Sequence, residues 1–310
     1  MIEAALRQRL HAALKQLSTI VVGKNDVIAL SMSCLLARGH VVLEDLPGAG
    51  KTTLAKAFAA TLGMDYRRIQ FTSDLLPADV VGFSLLHPGE HKLVFQEGPI
   101  FTSLLLADEI NRASPKSQSA LLEAMEERQV TVEHESRPLP EPFFVIATQN
   151  PLEQIGTFAL PESQLDRFLM RLSLGYPSAA LEVEILRGDT RQEMLAQAQA
   201  QLSRSDVLQL QKAVREITVS EAVAQYVQKL LAYTRDRNHF AQGLSTRAGL
   251  GLVRVAQAYA LILGKEAVLP EHVQKVFPAL AWHRLPKKGR DDHAHAEAIA
   301  AVLAQVDVPL

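Results

Sequence analysis

Hydrophobic positions fall into two textures along the chain. Between residues 40 and 175, short apolar runs alternate with helical stretches: VVLED (41–45), RRIQF (67–71), LLLAD (104–108), FFVIAT (143–148) and MRLSL (170–174). Continuous apolar runs of this length read as strands buried on both faces of a parallel sheet, with helices between them. QVTVE (129–133) alternates instead, and the turn-rich ESRPLPEP follows it, which predicts a hairpin outside that sheet. At the N-terminus, Ile2, Ala5, Leu6, Leu10, Ala13, Leu14 and Leu17 recur three and four apart, the spacing of an amphipathic helix. After Gly175-Tyr176-Pro177 the pattern becomes helical almost without interruption to residue 304. The expected layout is an α/β unit over residues 1–176 with an N-terminal helix, then a smaller all-helical unit over 177–310.

Composition narrows the classes. The 310 residues are 48% hydrophobic and 21% charged, enough apolar surface for two folded units. Lys and Arg number 32 against 34 Asp and Glu, a net charge of −2. That balance argues against nucleic acid or an anionic membrane as a bulk electrostatic partner, and PKKGR (286–290) is too short a basic run to reverse it. The single cysteine, Cys34, can make neither an internal disulfide nor a cysteine-based zinc site. No apolar run reaches the ~18 residues of a membrane span, and the N-terminus lacks a secretory-signal layout, so a cytoplasmic protein is expected. His283, His293 and His295 read as a helix end rather than a metal site.

Chemistry enters where the first strand ends. VVLED runs into Leu46-Pro47-Gly48-Ala49-Gly50-Lys51-Thr52-Thr53, and a helical pattern starts at once. Glycines let backbone N–H groups approach phosphates, a lysine reaches their outer oxygens, and a Thr hydroxyl can hold Mg²⁺. Asp45 stands where the general pattern has its first glycine; a strand-to-helix turn that binds nothing is the competing reading.

Two further strands end in polar residues. LLLAD delivers Asp108 and Glu109, an acid for the Mg²⁺ shell and one to polarise an attacking water. FFVIAT delivers Thr148, Gln149 and Asn150, whose amide can hydrogen-bond that water or a phosphate. Taken singly, these are equally strand-end acids and a turn asparagine before Pro151. Arg167 and Arg247 suit phosphate clamping because the guanidinium stays charged, although solvated or acid-paired arginines are the commoner case. Arg112 and Arg171 flank the same motifs.

Together the segments GHVVLEDLPGAGKTTLAKAFA, QFTSDLLPADVVG, FQEGPIFTSLLLADEINRASPKSQSALLEAMEERQVTVE, FVIATQNPLEQIGTFALPESQLDRFLMRL and GLSTRAGLGLVRVAQAYA resemble the MoxR family of AAA+ ATPases. The resemblance implies a P-loop NTPase core with a parallel sheet and a helical lid. It assigns Gly48, Gly50, Lys51 and Thr52 to Walker A, with Pro47, Ala49 and Thr53 in the same loop. Asp108 and Glu109 become Walker B and Asn150 sensor 1. Arg167 matches the arginine finger serving a neighbour, and Arg247 matches sensor 2, contacting the γ-phosphate from the lid. Val21, Val22 and Gly23 match the segment against adenine. ATP and Mg²⁺ are the implied cofactors, held as to the metal by Thr52 and Asp108. The implied assembly is a homo-oligomeric ring, expected to be hexameric. The implied work is chaperone-like remodelling or maturation of a protein client, in company with a von Willebrand factor A-type partner. A DNA-directed AAA+ motor or activator and a metal-chelatase motor subunit are the alternatives.

Overall fold

The computed structural model describes residues 3–45, 48–87, 92–150, 156–177, 179, 182–183, 191–286 and 292–309. Helices α1 (Ala4–Ile20) and α2 (Asn25–Leu36) lead into β1 (Val41–Glu44), α3 (Lys51–Thr61) and β2 (Tyr66–Gln70). A short helix α4 (Pro77–Val81) precedes a hairpin of β3 (Gly82–His87) and β4 (Lys92–Glu97). Then come β5 (Leu104–Asp108), α5 (Pro115–Glu127), a second hairpin of β6 (Gln129–Val132) and β7 (Glu135–Pro138), β8 (Phe144–Gln149), α6 (Glu162–Leu165) and β9 (Met170–Leu172). The helices α7 (Arg191–Ala196), α8 (Arg204–Val214), α9 (Glu221–Arg235), α10 (Thr246–Ile262), α11 (Pro270–Ala281) and α12 (Asp292–Gln305) follow.

The five apolar runs form one sheet in the order β2-β5-β8-β1-β9, and every neighbouring pair is parallel. Strand alternation sends Val41, Leu43, Leu104, Leu106, Phe144 and Ile146 into the core shared with α1, α2 and α3. Val42, Leu105, Ala107, Val145 and Ala147 face the other way, onto Leu121, Leu122 and Met125 of α5. Burial on both faces is why β1, β5 and β8 carry almost no polar residue until their ends, whereas β2, expected to be buried on both faces, is a sheet edge with Arg67, Arg68 and Gln70 exposed. The first core continues into the helical unit through Leu252, Val255 and Ala256 of α10 and Val276, Phe277 and Leu280 of α11. Helix α10 lies against α2, and α11 against β9, so apolar packing fixes the helical unit on the N-terminal helices and the sheet edge.

The alternating segment 129–132 forms its own two-stranded antiparallel sheet with β7, as its pattern predicts. The β3–β4 hairpin has no counterpart among the expected strands. Phe83, Leu85, Leu86, Leu93 and Val94 all stay exposed, so no buried face imposes a readable period on it. All five sheet strands point one way, so two edges differ in kind: one collects the strand C-termini, the other their N-termini. The candidate chemistry divides between these edges.

Candidate functional site

At the C-terminal edge, the chain leaves β1 and enters α3 through Gly48 and Gly50, at φ 84° and 89°. Both lie in the left-handed region that glycine enters without strain, and a Cβ at either would meet nothing within 4 Å. The loop therefore has open space in front of its backbone, the room an anion needs. Gly50 is the N-cap of α3, so the first-turn N–H groups, to which a helix gives no intrahelical acceptor, face the same space. Lys51 arches back, its Nζ donating to the Asp45 carbonyl at 2.7 Å. Ala49, Thr52 and Thr53 are half-buried along the loop and first turn; Pro47 lies outside the described residues.

Asp45 proves to be an anchor. Its buried carboxylate accepts from Ser173 Oγ at 2.7 Å, Leu174 N at 2.7 Å and Gly175 N at 2.9 Å. These donors belong to the segment that follows β9 and leads to the helical unit, and a glycine at 45 would leave all three without this acceptor. Lys24 grips the same segment, donating to the carbonyls of Gly175 at 3.3 Å and Tyr176 at 2.8 Å. Lys24 follows Val21, Val22 and Gly23 in the turn between α1 and α2, so this turn, the loop and the connecting segment are tied together. Replacing Asp45 with alanine removes three bonds to a charged acceptor and should lower unfolding free energy by about 3 kcal/mol or more, measurable by urea denaturation.

Strand β8 lies between β1 and β5, which brings Thr148 and Asn150 between the loop and the acids. Thr148 Oγ1 donates to Asp108 Oδ1 at 2.5 Å and accepts from the Glu109 N–H at 2.8 Å. Glu109 is held at φ 55°, a left-handed conformation uncommon outside glycine and asparagine. Its carboxylate Oε2 accepts from Gln70 Nε2 at 2.8 Å and pairs with Arg112 Nε at 3.0 Å. Arg68 donates to Asp108 Oδ2 through Nη2 at 2.6 Å and Nε at 3.1 Å. Asn150, buried at the end of β8, lines a cavity of about 370 Å³ with Asn111 and Gln149. The sequence offers no role for Arg68 or Gln70, and for Thr148 only its place at the end of FFVIAT. Their signal was polarity within otherwise apolar strands, and only the β2–β5–β8 pairing gives it meaning. The Thr52 hydroxyl and Asp108 carboxylate are hard oxygen donors of the kind Mg²⁺ takes, and the open glycine loop fits a polyphosphate.

The two arginines lie at the opposite edge. Arg167 stands just before β9, and its Nη2 is 3.2 Å from Glu126 Oε2. Arg247, in the first turn of α10, places Nη2 2.9 Å from Glu126 Oε1. A cavity of about 320 Å³ is lined here by Arg38, His40, Glu126, Arg167, Arg247 and Arg254, among others. His40 accepts from Val145 N at Nδ1, so its Nε2 carries the proton and donates to Met125 O; burial pushes its pKa down to about 3, so it adds no charge. The four residues of β1 alone separate this edge from the loop by about 13 Å. Arg247 thus lies at the edge opposite its own loop. The cause is docking: Ser245 caps α10 directly before Arg247, and Gly251 packs so close to Leu169 that a Cβ would fall 2.9 Å from Leu169 Cδ1.

Other candidates are absorbed structurally. Arg171 pairs with Glu44, its guanidinium 4.7 Å from the centre of the Trp282 ring. His283 and His295 bond the carbonyls of Phe168 and Trp282, each at 2.9 Å, while His293 lies 3.3 Å from Glu297. Burial holds His283 well below the usual histidine pKa. Among the described residues, no group of three His, Cys, Asp or Glu could hold a metal ion, and no helix is long and apolar enough to cross a membrane. Residues 287–290 of the short basic run lie outside the described residues.

Comparison with known proteins agrees with the fold. Residues 40–170 match the model of the ATPase family associated with various cellular activities (AAA), and residues 232–303 match that of the AAA lid domain. Uncharacterized protein YeaC of Bacillus subtilis is 41% identical over 98% of this chain and 96% of its own. Chaperone MoxR1 of Mycobacterium tuberculosis is 40% identical over 91% of this chain and 77% of its own. The crystal structure of a provisionally assigned ATPase from Cytophaga hutchinsonii superposes with a TM-score of 0.87 at 35% identity, covering 98% of this chain and 96% of that one.

Proposed function

Because the chain belongs to the MoxR family of AAA+ ATPases, we propose that it hydrolyses Mg–ATP at sites shared between neighbouring subunits of a cytoplasmic ring, expected to be hexameric. The observation that carries this reading is the division of the chemistry between two edges of one sheet. The phosphate loop, both acids and Asn150 share one edge, while Arg167 and Arg247 converge at the other. A single subunit cannot bring both sets to one phosphate, whereas a head-to-tail neighbour can, and such an interface closes into a ring when its rotation permits.

In this reading the backbone N–H groups from Gly48 to Thr52 cradle the phosphates and Lys51 turns from the Asp45 carbonyl to their outer oxygens. Val21, Val22 and Gly23 lie against adenine. Thr52 and Asp108 would hold Mg²⁺, which when bound would neutralise phosphate charge, and Arg68, which bonds Asp108, would have to yield its place. Glu109 orients the attacking water and takes its proton, which requires release from Gln70 and Arg112. Asn150 hydrogen-bonds that water or the γ-phosphate. Arg167 and Arg247 of the next subunit stabilise the charge that develops on the transferred phosphoryl group.

The work performed is read as remodelling or maturation of a protein client, supported by the family and by a relative named a chaperone. A von Willebrand factor A-type partner belongs to the same reading. Lys51→Ala tests the loop assignment: calorimetry should show most ATP affinity lost, and wild-type affinity in the variant would refute the assignment.

A further inference from the structure

Arg167 belongs to the sheet unit and Arg247 to the helical unit, yet both guanidiniums reach one carboxylate, that of Glu126 near the end of α5. Two arginines on a single small anion make a bis-guanidinium site already assembled in the free subunit. The surroundings are cationic. Arg38, Arg128, Arg254 and Arg284 line the same cavity, and its other acid, Asp166, is engaged by Arg284 Nε at 2.6 Å. Arg254 has no ionic partner among the described residues. Burial and then like-charge crowding lower the pKa of Arg128, Arg38 and Arg254 both contributing against the opposing pull of Glu141, which pairs with Arg38. Glu126 is therefore the one anion that both arginines share, and its side chain is 31% exposed, open to exchange with an arriving group.

We propose that Glu126 is the resident ligand of an anion site whose external ligand is the terminal phosphate of the nucleotide held by a second copy of this chain. This inference rests on the shared-site reading above and adds what opposes it. The carboxylate holds both arginines in reach of one oxygen group, and ring closure must exchange it for phosphate. Glu126 thus raises the subunit concentration needed for assembly, and makes that threshold sensitive to the γ-phosphate. Its exchange also breaks the Arg247 contact between the helical unit and α5, so a neighbour's nucleotide state is passed to the lid.

The test is sedimentation of the full chain with a non-hydrolysable ATP analogue or with ADP, comparing wild type with Glu126→Gln, an isosteric change at a half-exposed position. Two partly exposed ion pairs should shift the assembly midpoint about 3- to 10-fold toward lower concentration with the analogue, and by less with ADP. In an Arg167→Ala/Arg247→Ala background the Glu126→Gln shift should vanish. An unchanged or higher midpoint, an equal shift with ADP, or a shift that persists without the two arginines would each overturn the proposal. Normal turnover by Arg167→Ala alone would instead overturn the shared site itself. An inactive Arg167→Ala together with an unmoved Glu126→Gln midpoint would overturn the role of Glu126 and leave the shared site standing.

Discussion

Arg167→Ala protein is expected to bind ATP normally and hydrolyse it at least about 1,000-fold more slowly, the lower bound for an arginine supplied across an interface to a transferring phosphoryl group. The geometry behind the figure is the separation of Arg167 from its own loop by the length of β1. Its loss leaves Lys51, the glycine cradle and both acids in place, so binding and chemistry part company. Wild-type turnover per subunit should rise with protein concentration over the range in which rings form. Mixing Arg167→Ala with Lys51→Ala subunits sharpens the measurement. Where a Lys51→Ala subunit offers its intact Arg167 to the intact loop of an Arg167→Ala neighbour, a working site is rebuilt. Recovery of activity from two inactive proteins supports the shared site, and undiminished hydrolysis by Arg167→Ala at every concentration refutes it.

Glu109→Gln should also keep ATP affinity while losing at least about 100-fold in turnover, the scale associated with a positioned general base. The amide preserves size and can still bond Gln70, but it cannot take a proton from water. Steady-state hydrolysis set beside nucleotide binding makes the distinction; near-normal turnover would reduce Glu109 to a strand-end acid. Because the variant is expected to hold ATP without consuming it, affinity capture with Glu109→Gln and ATP is also the direct test for a protein client.

How far the sequence could be read followed the range of the interactions. The three inner strands β1, β5 and β8 were legible because burial on both faces demands an unbroken apolar run, and the segment 104–108 delivers Asp108 and Glu109 whatever surrounds it. The loop was legible because Gly48, Gly50, Lys51 and Thr52 act within one turn of chain. Asp45 was not, since its partners lie 128 to 130 residues away and no local rule links an acid in the loop to backbone N–H groups after β9. Arg68 and Gln70 acquire a role only through the register that sets Gln70 beside Asp108. The orientation of Arg247 depended on where α10 docks, a property of packing between units that helix periodicity does not contain. The β3–β4 hairpin escaped because its apolar residues answer to no core.

The lone thiol has a practical consequence for following this machine in motion. Cys34 is fully buried, its Sγ donates to the His40 carbonyl at 3.3 Å, and burial drives its pKa far above the range in which thiolate forms near neutral pH. Alkylating dyes will therefore pass over the folded wild-type chain. A cysteine introduced at Leu93 on the hairpin or at Leu250 on α10, 65% and 66% exposed, becomes a unique attachment point without removal of the native Cys34. Fluorophores at both report the distance between hairpin and lid through each nucleotide state, on a protein whose own chemistry is silent to the label.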